Sequence, residues 1–228
     1  MAIAAMLSVG IISCEKDENN DGDNPGGGGN TTVEWVDLGL PSGLLWAKCN
    51  LGANAPEEYG NYYAWGETQP KEVYYPSTYR YCTVDGNGNL QTLTKYNTSS
   101  DLGTIDNLTT LQAADDAATA ALGSGARTPT KEEWEELINN TTVEWSTLNG
   151  VVGRKFTAAN GNTLFLPAVG FRLGSGLFFA GSDGSYWSSS LYTVSPCNAW
   201  FFYFNSDYQY MEYDNRGRGV SVRAVRQK

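Results

Sequence analysis

Apolar and polar positions alternate most regularly near the end of the chain, over residues 186–226. There Trp200, Phe202 and Phe204 fall on one face of an extended backbone, with Phe201, Tyr203 and Asn205 on the other. The first face reads as core. The second is continued by Tyr208, Tyr210 and Tyr213, with Asp207, Glu212, Asp214, Asn215 and Arg218 interleaved. Rigid aromatic area mixed with adaptable hydrogen-bonding groups is the chemistry of a binding surface. The alternative is a solvated outer sheet face, where aromatics collect through strand propensity alone.

The same pattern divides the rest of the chain. Residues 33–47 give two short apolar stretches around a Pro-Ser-Gly turn, read as a hairpin. Tyr74, Tyr75, Tyr79 and Tyr81 lie in a loop-like stretch and read as satellite core in preference to a carbohydrate platform. Two helices are predicted. Residues 108–122 are Ala-rich with Leu108, Leu111, Ala114 and Ala118 at helical spacing, and a Gly-Ser-Gly stop follows. The second helix begins at Thr130, whose spacing to Glu133 is that of a capping box, and it buries Trp134, Leu137 and Ile138. Residues 151–158 and 163–167 flank an Asn-Gly turn as a hairpin, and short strands follow to an alternating run, 220–226, that closes the sheet. Gly174, Gly176, Gly181 and Gly184 read as loop glycines, since no strand-to-helix unit surrounds them to form a phosphate cradle.

Before residue 33 the composition changes. Residues 1–13 are an apolar run, too short to span a bilayer, ending at Cys14; this reads as a lipoprotein signal, with Cys14 as the lipidated residue, although no Lys or Arg precedes the run. Residues 15–32 are acidic, amide-rich and then polyglycine, the composition of a tether with no core to bury. Residues 33–228 form the expected folded domain.

Charge and residue inventory narrow the chemistry. Fifteen Lys and Arg stand against 25 Asp and Glu, a net charge of -10, so nucleic acid is not an expected partner and the membrane is reached through the lipid alone. The chain has no His, which removes Ser-His-Asp and Cys-His arrangements and the commonest metal ligand. No metal or other cofactor is expected, and no enzyme. Glu132, Glu133, Glu135, Glu136, Asp115 and Asp116 read as solvated helix charge rather than an acid/base pair. Beyond Cys14 three cysteines remain, and in an oxidising compartment a Cys49–Cys82 disulfide with Cys197 left over is the working assignment.

Several separated motifs carry a family likeness: residues 35–47 (WVDLGLPSGLLWA), Arg127-Thr128-Pro129-Thr130 with Glu133-Trp134, Tyr186-Trp187 followed by three serines, Asn198-Ala199-Trp200, and Ser221-Val222-Arg223. From residue 33 onward the chain resembles the large paralogous family of Bacteroidetes and Fibrobacter surface lipoproteins, with a C-type lectin-like domain related to the formylglycine-generating-enzyme fold. The resemblance implies an α+β domain with two helices packed on a twisted, mostly antiparallel sheet. The acidic cluster after Cys14 resembles a Bacteroidetes surface-export signal, implying an outer-membrane, cell-surface location and an extracellular protein or glycan as ligand. The chain is also similar to the variable proteins of diversity-generating retroelements, which mutate asparagine-type codons. That similarity marks Tyr192, Ser195, Cys197, Phe201, Tyr203, Tyr208, Tyr210, Tyr213, Asp214, Gly217 and Arg218 as varied positions. Asn198 and Asn215 would be unaltered ones, on a fixed scaffold of Trp200, Phe202, Phe204, Met211, Arg216, Gly219 and Val222. The rivals to this binding role are a structural subunit of a surface fibre or envelope complex and a degenerate enzyme of the related fold, which lacks the expected C-terminal cysteine pair.

Overall fold

Brief apolar stretches punctuated by Gly, Pro and Asn turns favour many short strands over long helices, and the computed structural model, which describes residues 33–228, is built that way. The expected leader, Cys14 and the tether lie outside the described residues.

Strands β1 (Trp35–Asp37) and β2 (Leu45–Ala47) form the predicted hairpin; β3 (Tyr62–Tyr63) follows, then the hairpin β4 (Cys82–Val84) and β5 (Leu90–Leu93). After helix α1 (Ala117–Leu122), strand β6 (Ala126–Arg127) and helix α2 (Lys131–Asn139), a meander is made by β7 (Thr141–Leu148), β8 (Val151–Ala158) and β9 (Thr163–Pro167). A small hairpin, β10 (Phe171–Leu173) and β11 (Gly176–Phe178), precedes β12 (Gly184–Leu191), β13 (Asn198–Phe204), β14 (Gln209–Asn215), β15 (Val220–Ser221) and β16 (Val225–Arg226). The largest sheet has the order β14-β13-β12-β15-β3 and a four-stranded sheet the order β1-β2-β16-β6.

With 38% strand against 12% helix, spread over several small sheets, the chain is mainly β. The expected α+β domain, C-type lectin-like with two helices packed on the sheet, is overturned. The first predicted helix shrinks to the six residues of α1. Residues 109–111 are instead extended against β12: Leu111 N–H donates to Ser189 O at 2.9 Å, and Leu191 N–H to Thr109 O at 2.8 Å. The helix starts late because Asp116 is its N-cap, accepting from the N–H groups of Ala118 and Thr119. Asp116 also accepts from Thr128 N–H and hydroxyl, both at 2.8 Å, while Asp115 accepts from Tyr81 at 2.6 Å and from Tyr96 and Lys95 at 2.5 Å. Both carboxylates are buried, so reading them as solvated helix charge is corrected too. Helix α2 has the predicted Thr130–Glu133 capping box, and Glu133 further takes a bidentate grip from Arg127 at 2.5 and 2.7 Å.

Indoles hold the core together. Trp134 of α2 lies 5.1 Å from Phe202 in a stacked pair, 4.8 Å from Trp46 and 6.0 Å from Tyr186. Its N–H reaches Trp187 O at 3.2 Å; Trp187 N–H reaches Tyr63 O and Trp65 N–H reaches Ser188 O. Buried rings and satisfied ring donors together tie α2, β2, β3 and β12 into one core. Tyr74, Tyr79 and Tyr81 belong to it as expected, whereas Tyr75 is exposed. At Gly184 only hydrogen fits, since a Cβ would sit 2.0 Å from the ring of Phe204 across the ladder.

The C-terminal run does not close one sheet. It divides between two, β15 running parallel to β12 and β16 pairing with β2 and β6. Arg223 sits at the division and is fully buried, donating to Ala47 O, Lys48 O, Phe165 O and the side chain of Asn50. Among the described residues no helix is long and apolar enough to cross a membrane.

Candidate binding surface

Strand β14 is the outer strand of the five-stranded sheet and pairs with β13 alone. Opposed residues of an antiparallel pair share a face. Trp200 opposite Tyr213 and Phe202 opposite Met211 therefore lie on the α2 side, while Phe201 opposite Glu212 and Tyr203 opposite Tyr210 lie on the other. Tyr210 and Tyr213 are three residues apart, so the pleat turns them to opposite faces. The expected patch thus wraps around a sheet edge and divides into separate groups.

On the α2 side Tyr192 and Tyr213 stack face to face, 3.9 Å apart and 5° from parallel, with Trp200 edge-on at 5.1 and 5.9 Å. Lys131 of α2 lies over the Trp200 ring at 4.8 Å. Trp200, expected as scaffold, is only half-buried here: Trp134 of α2 covers Phe202, whereas Trp200 meets Lys131, the first residue of the helix. Tyr192 belongs to a tight turn in which Ser195 N–H donates to Tyr192 O and Asn198 N–H to Ser195 O.

On the opposite side Tyr203 and Tyr210 pair at 5.4 Å. The Tyr203 hydroxyl meets the carboxylate of Asp183 and receives the Asn205 amide at 3.1 Å. Burial lifts the Asp183 carboxyl above the ordinary aspartate range, the hydrogen bonds from Tyr203 and Ser182 opposing it only in part. Farther along the strand Asp214 pairs with Arg218, whose guanidinium lies 4.8 Å over Phe171; burial also raises the Asp214 carboxyl, against the pull of Arg218. Asn215 caps the same turn by accepting from Gly217 N–H at 2.9 Å.

Exposure separates the expected site residues. Tyr208 (65%), Tyr210 (45%) and Tyr213 (42%) face solvent. Tyr192, Ser195, Cys197, Asn198, Tyr203, Asp214, Asn215 and Arg218 are half-buried. Phe201 and Gly217 are buried and drop out of the displayed set: Phe201 is 7% exposed, edge-on to Trp187 at 6.0 Å, and Gly217 lies beneath Tyr75 and Tyr79. The tip of the β13–β14 hairpin is held from below by Arg154, a buried guanidinium that donates to Asn205, Ser206 and Tyr208 carbonyls at 2.8 to 3.3 Å. That anchor fixes the backbone of the tip and leaves the Tyr208 side chain to solvent.

The expected Cys49–Cys82 bond is absent, and all three described cysteines are free thiols. The two occupy different surroundings: Cys49 sits by Arg223, Glu34 and Glu58, whereas Cys82 sits by Arg216 and Cys197 and donates to Pro76 O at 3.1 Å. Burial raises all three thiols. Among the described residues no group of three or more His, Cys, Asp and Glu is placed to hold a metal ion.

Sequence reasoning missed the β10–β11 hairpin, which was read as Gly-spaced loop. Phe178 and Phe179 are exposed, with Leu173 and Leu177, and both phenylalanines pack 5.9 Å from Phe171, the ring beneath Arg218. The signal was present in Leu177-Phe178-Phe179: in extended chain, consecutive apolar residues cannot all face one core.

No curated protein and no solved structure matches the chain. A family model described as a domain of unknown function, DUF8237, matches residues 70–225, which take in every element of the surface described above. The chain belongs to the DUF8237 family.

Proposed function

We propose that this chain is a ligand-binding protein of the cell surface, held to the outer membrane by lipid on Cys14, that presents the edge of β14 and the turns beside it to an extracellular protein or glycan. One observation carries the reading: Tyr208, Tyr210 and Tyr213 are all exposed on a backbone anchored by Arg154 and by a core of separate residues. Exposed tyrosines on a fixed frame, two of them steadied by neighbouring rings, offer contact area at small entropic cost, which suits anchors of recognition. No reaction is assigned to the site.

The test replaces Tyr208, Tyr210 and Tyr213 together by Ala. Capture of surface components of neighbouring cells by the immobilised protein is expected to be lost, with Tm within about 3 °C of the parent, because exposed side chains contribute little to stability. Retained capture, or a collapse of Tm, overturns the reading. We propose also that the surface is diversified by a retroelement. Sequencing the adjoining DNA is expected to find a reverse transcriptase gene and a near-copy of the stretch encoding residues 186–226; an intact locus with neither rejects diversification while leaving the binding role in place.

A further inference from the structure

The face of the β13–β14 hairpin turned away from α2 holds a carboxylate with no cation. Asp183 is half-buried and, among the described residues, forms no ion pair. The groups that meet it are the hydroxyls of Tyr203 and Ser182, and no positive charge lowers its pKa. Tyr203 and Tyr210 stand beside it as an aromatic pair, and Glu212, two residues along the same face from Tyr210, is another carboxylate without an ion-pair partner among the described residues. Asp214, by contrast, already has Arg218.

The other flank is a fixed apolar residue. Phe179 is 59% exposed with φ at 57°, a left-handed conformation costly for an aromatic residue. Its carbonyl is held by Asp183 N–H at 2.9 Å and Ser182 N–H at 3.1 Å. The segment that carries the carboxylate therefore also holds the backbone of Phe179, whose ring packs against Phe171. A partly desolvated anion that meets the hydroxyl of a paired tyrosine, with an exposed Phe in the same turn, suits a long side chain with an apolar stem and a cationic head. The charge of the whole chain, -10, attracts the same class of partner.

We propose that Asp183, Tyr203 and Tyr210 form a pocket for a Lys or Arg side chain of a partner protein, with Phe179 supporting its stem. The proposal rests on the binding reading above and names the partner of that surface as a protein with an exposed basic residue. A glycan supplies no such cation.

The experiment is a titration of the purified protein followed by backbone amide NMR shifts. The probes are Nα-acetyl-arginine amide and Nα-acetyl-lysine amide, with uncharged Nα-acetyl-citrulline amide and methyl mannoside as controls. The cationic probes are expected to shift Asp183, Tyr203 and Tyr210 saturably. Asp183→Asn and Tyr210→Ala should each weaken them at least about fivefold, and the citrulline probe should bind no better than the Asn variant does the arginine probe. Asp183→Asn removes a carboxyl whose charged form burial disfavours, so this variant should keep the parent fold. Equal binding of the arginine probe to parent and Asp183→Asn overturns the proposal, as does a shift of these residues by the mannoside alone. If the cationic probes fail while the triple Tyr variant still loses capture, only the cation assignment falls; if capture survives the triple variant, the display reading falls with it.

Discussion

Replacing Arg223 by Met is expected to cost about 3–5 kcal/mol of folding stability, read as a lower urea midpoint at unchanged slope. The guanidinium is fully buried and donates to three backbone carbonyls and to both-sided contacts with Asn50 Oδ1, at 2.9 and 2.6 Å. Those acceptors come from Ala47 at the end of β2, Lys48 and Asn50 beyond it, and Phe165 in β9. Met fills comparable space and supplies no donor, so four oxygens would remain desolvated without partners. Among the described residues no carboxylate pairs with the charge. Burial disfavours it, which is why the pKa of Arg223 is lowered, yet arginine stays protonated at any ordinary pH. The effect should therefore be nearly independent of pH between about 5 and 9. A loss below about 1 kcal/mol would mean that water enters and satisfies the carbonyls, and Arg223 would then not be the junction between the two sheets.

How much of this was legible in sequence depended on how local the determining contacts are. The capping box of α2 is set by Thr130 and Glu133, three residues apart, and it formed as expected. The helix expected over 108–122 failed for a nonlocal reason. Asp115 and Asp116 look like helix interior by spacing, but besides the local N-cap of Asp116 their carboxylates answer to Lys95, Tyr81, Tyr96 and Thr128, none of them within a helical turn. Strand parity was also local and correctly separated Phe202 and Phe204 from Tyr203. Parity tells which face a residue takes, and coverage of that face is set elsewhere in the chain. Trp200 shares a face with Phe202 but lies by Lys131 at the start of α2, while Phe201 is closed over by Trp187 from the neighbouring strand. The same parity, applied to the spacing of Tyr210 and Tyr213, already implied two faces rather than one patch. Asp183 carried no signal of its own: its importance comes from Tyr203, twenty positions away in sequence and brought alongside by the pairing of β12 with β13.

Replacing Trp134 by Ala is expected to lower stability by about 3–5 kcal/mol, the range for an aromatic side chain removed from a core that cannot collapse around the space. Its ring is fully buried among Trp46, Tyr186 and Phe202, which belong to three different strands, so relaxation toward the vacancy by one strand opens a gap at another. The substitution also leaves Trp187 O without the indole N–H. The loss should not be uniform along the chain. Phe202 is the residue through which α2 supports β13, and β13 is the one strand paired with β14. Hydrogen exchange in Trp134→Ala should therefore quicken in β13 and β14 by more than in the β7–β8–β9 meander, whose ladder is closed by its own pairings. Equal acceleration in both regions would show one cooperative unit and remove the reason to regard α2 as the particular support of the displayed edge.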